Sequence, residues 1–263
     1  MRKKMFSIAY LFIFILITGC DGGEKSSGPE ETTAPAASSA AAGSKTVDAA
    51  TAGTVKGKIV CEGEAPSPKE IAVKGKPECA ALHAGGKIAS EELLVQDGKL
   101  QNAFVYVKSG LEEYRFEMPA APVQVSNLKC VYTPHVLGAQ VNQPVMFLNE
   151  DPTLHNIHSY SKASPSFNIG LPFQGIKQTK KFSAPEVMVA LKCDVHPWMI
   201  GYIGILPHPY FSVTDAEGNF ELKNLPAGEY TIEVWHEKCG TQSQTVGIGP
   251  QETKEIEFKF TSA

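Results

Sequence analysis

The sequence predicts an all-β protein of the sandwich type. From Gly53 onward, short apolar or alternating runs are separated by Gly, Pro, Asn and Asp, which is typical of strands joined by turns. Helical periodicity is scarce, and residues 77–83 and 90–95 each allow at most two helical turns. Many short strands between turn residues favour a β-sandwich.

The individual strands follow from these runs. A hairpin is expected at the turn Asp97-Gly98, with Leu93–Val95 as one arm and Ala103–Val107 as the other. The other predicted strands are Thr54–Cys61, Val123–Val125, Val145–Leu148, Val187–Lys192, Tyr202–Leu206, Phe220–Leu222, Tyr230–Val234 and Ile256–Phe260.

Length and composition limit the classes of function. A chain of 263 residues corresponds to one large domain or two small ones. The net charge of -4 gives no sign of a nucleic-acid partner. Six cysteines are too few for a disulfide-packed miniprotein, so each of them needs its own explanation.

The N-terminal residues predict export. Three basic residues precede an apolar run over Met5–Ile17, which is shorter than the roughly 20 residues of a membrane-spanning helix and fits a signal peptide. The run ends in Gly19-Cys20 and resembles a bacterial lipobox. We therefore expect a lipoprotein signal over residues 1–19 and lipidation of Cys20, with an ordinary secretory signal as the alternative.

The mature chain is then an acidic extracytoplasmic protein. Removal of the basic residues leaves a net charge of -7, and lipid would hold the protein to a bacterial membrane, in the periplasm or at the cell surface. Residues 20–52 are rich in Ala, Ser, Thr, Gly and Pro, and they predict a disordered tether.

Two segments combine metal-ligating side chains. Cys193, His196 and Met199 lie within seven residues, and His155 follows an apolar strand upstream, with His158 three residues later. One Cys, two His and one Met form the ligand set of a type 1 copper site. Cys193 is expected to end one strand, His196 to lie in a tight loop and Met199 to begin the next strand.

Two alternatives to copper remain. One is a zinc or structural site, although zinc prefers four strong ligands and the methionine argues against it. The other is a free cysteine near two unrelated histidines. His158 competes with His155 as a ligand, but the two would point to opposite faces of a strand, so His158 is interpreted as a surface or supporting residue.

These motifs resemble the cupredoxin family, most closely its amicyanin and plastocyanin branch. The resemblance implies a Greek-key copper domain over residues 111–209, with one type 1 copper held by His155, Cys193, His196 and Met199. It further implies that Asn156 steadies the loop that carries the cysteine. By the same resemblance, the exposed edge of His196, with Pro197 and Trp198 around it, forms a docking patch for a redox partner such as a cytochrome c or a dehydrogenase. Packing of Trp198 over the copper is an equal alternative.

Four other histidines are interpreted as structural. His135, His208 and His236 are each expected to be hydrogen-bonded residues rather than ligands. His83 follows Cys79 by four residues, but two ligands do not make a metal site.

The C-terminal residues resemble a different family. The segment 212–235 is similar to the second half of the carboxypeptidase regulatory-like domain, a transthyretin-like sandwich without peptidase activity. The segments Gly53–Val60 and Gln101–Val107 look like its missing strands. We therefore predict one sandwich formed by residues 53–110 plus 210–263, with the copper domain inserted in it or adjoining it.

Four cysteines remain after lipid and copper are assigned. In an oxidising compartment, Cys61, Cys79, Cys130 and Cys239 suggest two disulfides, and three pairings are possible. The favoured pairing is Cys79–Cys130 with Cys61–Cys239.

The sequence therefore favours an electron-transfer protein. The alternatives are a copper chaperone, storage or sensing lipoprotein with the same ligands, and an adhesion module with a vestigial site. An enzyme is the least favoured class, because a copper with four filled positions leaves none for a substrate.

Overall fold

The structure is a computed structural model that describes residues 43–64, 67–73, 75–83 and 86–261. The predicted signal peptide, Cys20 and the first part of the predicted tether lie outside these residues. In the described part of the chain, no helix has the length and apolar character needed to cross a membrane.

Strands dominate the described residues, which confirms the all-β prediction. One short helix, α1, covers Pro77–Ala80. The strands are β1 (Gly53–Glu62), β2 (Glu70–Ala72), β3 (Lys87–Ala89), β4 (Val95–Gln96), β5 (Lys99–Leu100), β6 (Phe104–Ser109), β7 (Val123–Leu128), β8 (Val131–Thr133), β9 (Val136–Gln140), β10 (Val145–Asn149), β11 (His155–Ser159), β12 (Asn168–Leu171), β13 (Lys177–Lys180), β14 (Glu186–Lys192), β15 (Ile200–Leu206), β16 (Phe211–Val213), β17 (Asn219–Leu225), β18 (Gly228–His236), β19 (Gly240–Ile248) and β20 (Thr253–Thr261).

Two sheets combine strands from both ends of the described chain. In one, β1 pairs antiparallel with β17 and β5 and parallel with β20, and β4 pairs with β5. The other has the order β16-β6-β18-β19. Side chains of both sheets share a hydrophobic cluster whose buried members come from residues 55–111 and 210–260. The division of the chain into two domains, and the likeness of this part to a transthyretin-like sandwich, stay predictions.

The predicted hairpin at Asp97-Gly98 is only partly correct. The turn joins β4 to β5, so Val95 pairs with Leu100. The predicted second arm forms β6, which belongs to the other sheet and lies between β16 and β18. The physical reason is burial: the first four residues of β6 are buried on both faces, which requires a central place in a sheet. Residues 90–95, a candidate helix in the sequence, form no helix.

The candidate ligands come from a second pair of sheets. One has the order β13-β10-β7-β8 and the other β12-β11-β14-β15-β9, and their shared cluster has buried members between residues 73 and 205. Val73, Cys79 and Ile88 belong to this cluster, although the sequence assigned them to the other sandwich. These described residues of the excursion between β2 and β3 therefore pack with the sheets that carry the candidate ligands.

Two glycines allow close packing between the two pairs of sheets. Phe104 and Phe211 stack with ring centroids 5.8 Å apart and contact β9 and β15. A Cβ atom at Gly138 would lie 2.3 Å from the Phe211 ring, and one at Gly204 would lie 2.4 Å from the Phe104 ring. Any larger residue at these positions would displace the aromatic rings.

The end of the predicted tether is ordered. Residues 43–52 lie against the folded part, where the Lys45 N–H donates to Glu113 O at 2.9 Å and the Arg115 N–H donates to Lys45 O at 2.9 Å. The prediction of disorder up to residue 52 is therefore wrong for these residues. Composition predicted it, but backbone hydrogen bonds to a partner segment do not depend on side-chain hydrophobicity.

Candidate metal centre

Three predicted ligands converge at one end of the β11–β14–β15 sheet. His155 begins β11, while Cys193 and His196 lie in the loop between β14 and β15. The Nδ1 atoms of the two histidines are 3.0 Å apart, and Cys193 Sγ lies 3.9 Å from His196 Nδ1. All three side chains are buried, and one donor atom from each lies within 4.8 Å of the others.

Backbone hydrogen bonds close the loop that carries Cys193. The Cys193 N–H donates to Met199 O at 3.1 Å, and the Met199 N–H donates to His196 O at 2.9 Å. Met199 is buried and belongs to the same hydrophobic cluster as Cys193. The tight loop therefore brings thiol, imidazole and thioether to one end of the sheet, as the spacing in the sequence predicts.

Asp151 orients His155. The His155 Nε2–H donates to Asp151 Oδ2 at 3.0 Å, which leaves Nδ1 free to face the cluster. The same carboxylate accepts the backbone N–H groups of Lys129 at 2.6 Å and Cys130 at 2.7 Å. A carboxylate on the far nitrogen of a metal-binding histidine fixes the tautomer and the ring orientation.

Asn156 binds the loop that carries Cys193. Its Oδ1 accepts the backbone N–H of Asp194 at 2.8 Å and the Cys193 thiol at 3.2 Å. Its Nδ2 donates to Asn168 Oδ1 at 2.7 Å and to Asp194 Oδ2 at 3.0 Å. His158 lies outside the cluster, half-exposed, with Nδ1 3.2 Å from Asp194 Oδ1.

Electrostatics lower the pKa of the Cys193 thiol. Burial raises the pKa of Cys193, but hydrogen bonds from His155 and from the backbone of Asn156, His196 and Val195 outweigh it, and the net pKa is lowered. Burial opposes the charged form of His155, yet hydrogen bonds to Asp151 and Cys193 raise its pKa. Burial, followed by repulsion from His155, lowers the pKa of His196.

The donor set fits copper. Two imidazole Nδ1 atoms and one thiol with a lowered pKa face one another in a space closed to water, and a buried thioether lies in the same loop. Soft sulfur with two imidazoles suits copper in both oxidation states. His155, Cys193, His196 and Met199 are the residues that would hold the ion.

The predicted exposure of His196 is wrong. The residue is fully buried, and its Nε2 lies 3.7 Å from Glu78 Oε1 in α1. A disulfide joins Cys79 of α1 to Cys130, and its sulfurs lie within 4.8 Å of a His196 ring nitrogen. The excursion between β2 and β3 thus covers the edge that the family resemblance expected at the surface.

The other two residues of the predicted docking patch differ in exposure. Pro197 is exposed, while Trp198 is half-buried, with its ring centroid 5.2 Å from that of His196. The Trp198 Nε1–H donates to Cys130 O at 3.0 Å. Trp198 therefore packs on the covered site, and its role in docking stays a prediction.

The remaining histidines lie in hydrogen-bonded structural positions. His135 bonds to Glu237, the His208 Nε2–H donates to Val107 O at 2.9 Å, and His236 Nδ1 accepts the N–H of Lys238 at 3.2 Å. The His83 Nε2–H donates to Lys129 O at 2.7 Å. Burial lowers the pKa values of His208 and His236 to about 4.

The second predicted disulfide is not formed. Cys61 and Cys239 carry free thiols, and Cys239 packs on the hydrophobic cluster that contains Cys61. Burial raises the pKa of both thiols, that of Cys239 to about 11 with a further contribution from Cys61. Because the thiolate is the reactive form, both groups are held in the less reactive protonated state.

Sequence reasoning missed three residues that support the site. Asp151 precedes His155 by four residues in the sequence, and this proximity was the available signal. Tyr132 donates its hydroxyl to Asn156 O at 2.6 Å, and burial raises its pKa. Glu78 gave no signal, because it reaches His196 only through the tertiary fold.

The known proteins that this chain matches are solved structures. No family model and no curated protein matches the chain. The chain is similar over 38% of its length to the Cu-containing nitrite reductase (NirK) from Thermus scotoductus SA-01, at 23% identity and a TM-score of 0.31. Over 32% of its length it is similar to a purple cupredoxin from Nitrosopumilus maritimus, with 24% sequence identity and a TM-score of 0.27. Over 38% of its length it is similar to a Cu(I) mutant of amicyanin, with 19% sequence identity and a TM-score of 0.29. It spans 25% of the reductase chain, 98% of the purple cupredoxin and 97% of the amicyanin.

Replacement of Asp151 by asparagine is expected to destabilise the protein by about 2 kcal/mol. The amide keeps the size of the side chain but loses the charge. Asparagine has one acceptor oxygen where aspartate has two, so it cannot accept hydrogen bonds from Lys129, Cys130 and His155 together. Urea unfolding of the metal-free protein measures the loss. Glu150→Gln, the neighbouring carboxylate outside this network, serves as the control, and an equal loss in both variants would contradict the assignment.

Proposed function

We propose that this chain is a type 1 copper protein that carries single electrons outside the cytoplasm. The convergence of His155 Nδ1, His196 Nδ1 and Cys193 Sγ within 4.8 Å in a buried space carries the proposal. Met199 in the same loop supports a weak axial ligand. Under this proposal, the motif and the paired sheets belong to a cupredoxin domain.

The chain's own residues prepare the site for this chemistry. When bound, copper would supply the exchange of one electron between Cu(I) and Cu(II). Asp151 and Asn156 hold His155 and the cysteine loop in place, and the covering excursion excludes water. A fixed ligand geometry suits electron transfer, because little has to rearrange when the charge changes. The filled, covered site supports a carrier rather than an enzyme.

Location and partner complete the proposal. A lipid on Cys20 would hold the protein to a bacterial membrane, and the acidic mature chain would meet a redox protein such as a cytochrome c or a dehydrogenase. Such contacts are transient and bury small interfaces. Exposed Pro197, beside half-buried Trp198, is the part of the predicted docking patch that remains accessible.

The absorption spectrum of the copper-loaded protein tests the function. We expect an intense visible band from a Cu(II)–thiolate bond, loss of the band on addition of a one-electron reductant and its return on reoxidation. Absence of the band in loaded protein would overturn the proposal. Slow release of Cu(I) to a chelator supports a carrier, whereas rapid release would favour the chaperone or storage alternative.

A further inference from the structure

The covered edge of His196 carries an inference that rests on the proposed function. His196 Nε2 is buried and has no hydrogen-bond partner among the described residues. The carboxylate of Glu78 faces it, with Oε1 at 3.7 Å, and Lys76 adds a positive charge nearby. A buried polar atom without a hydrogen-bond partner costs free energy, so the position of His196 Nε2 needs a physical explanation.

The tautomer of a metal-binding histidine supplies one. In the metal-free structure, His155 uses its Nε2–H on Asp151, and its Nδ1 faces His196 Nδ1 at 3.0 Å. Only one hydrogen fits between the two Nδ1 atoms, and when His196 carries it, the His196 Nε2 is an acceptor that faces a carboxylate. When His196 Nδ1 binds a metal instead, the ring proton moves to Nε2 and faces Glu78.

We propose that Glu78 is a positioning residue that acts on the metal through His196. Its carboxylate faces the Nε2–H of His196 in the loaded site and stabilises the more highly charged Cu(II) state. The Asp151 carboxylate binds the Nε2 atom of His155 in the same way. Each imidazole therefore has a carboxylate beside its Nε2 atom, the nitrogen that faces away from the cluster.

The fold holds Glu78 in this position. Glu78 lies in α1, and the next residue, Cys79, is joined to Cys130 by the disulfide. Val73 and Ile88, on either side of the helix, are buried in the cluster that also contains Cys193. The backbone that carries Glu78 is therefore anchored to the folded body by the disulfide and by these buried side chains.

The test compares Glu78→Gln with Glu70→Gln. Glu70 lies in β2, next to the excursion, is exposed, pairs with Lys87 and loses the same charge on substitution. We expect Glu78→Gln to weaken Cu(II) binding about 10-fold and Cu(I) binding less, which raises the reduction potential by up to about 59 mV. Glu70→Gln is expected to leave both quantities within about twofold of the wild type.

A second readout uses metal-free protein. The ring nitrogen and proton chemical shifts of His196, measured by NMR on protein labelled with nitrogen-15 in histidine, should move in Glu78→Gln and stay unchanged in Glu70→Gln. Equal shifts in both variants, or in neither, would overturn the inference. If the wild type shows no visible copper band while Glu78→Gln still moves His196, the proposed function fails and the Glu78–His196 contact stands.

Discussion

Replacing Cys193 with serine is expected to abolish the visible copper band and most of the copper affinity. The thiolate is the soft ligand in the cluster, and its charge-transfer absorption disappears with the sulfur. Serine keeps the size of the side chain but offers a hydroxyl that does not ionise near neutral pH. Absorption and copper stoichiometry after loading and dialysis measure the result.

The matched control for Cys193 is Cys239→Ser. Cys239 is a free thiol outside the cluster, so the same chemical change there should leave the band and the stoichiometry intact. A band that survives in Cys193→Ser, or one that is lost in Cys239→Ser, would contradict the ligand assignment. Unfolding curves of both variants establish that each one folds.

Removing the disulfide by the double substitution Cys79→Ala and Cys130→Ala is expected to lower the free energy of unfolding by about 4 kcal/mol. The bond joins residues 51 positions apart, so its loss gives the unfolded chain a large number of extra conformations. It also frees the cover over His196 and the Cys130 backbone that Asp151 binds. Denaturant unfolding of the metal-free protein gives the value.

A second double variant controls for the loss of buried sulfur. Cys61→Ala with Cys239→Ala removes two thiols that no disulfide joins, so it is expected to cost less than half as much. The wild type in a thiol reductant should approach the stability of the Cys79→Ala, Cys130→Ala variant. Equal losses in the two double variants, or no effect of the reductant, would refute a stabilising role of the disulfide.

Predictability in this protein depends on how far apart the interacting residues are. The loop from Cys193 to Met199 closes through its own backbone hydrogen bonds, so residue type and spacing suffice to find it. His155 could be separated from His158 because a strand alternates faces; His155 is fully buried and His158 remains half-exposed.

Errors arose where partners lie far apart in sequence. The sequence predicted that Ala103–Val107 pairs with Leu93–Val95 across the turn. In the structure this segment is buried on both faces and pairs with β16 and β18, which lie more than 100 residues further along the chain. The exposure of His196 was an expectation from the family resemblance. The residue is buried because Glu78 and Cys79, from a distant excursion, lie against it.

The sequence by itself determined the all-β class and the identity of the candidate ligands. Strand periodicity is a pattern of neighbouring residues, and ligand chemistry depends on side-chain type, so both can be recognised without the fold. Only the tertiary structure decided which carboxylates face the two imidazoles, that the His196 edge is covered and that Cys61 and Cys239 remain free thiols. These features depend on contacts between segments that the chain brings together only when the sheets pack, and no local pattern records them.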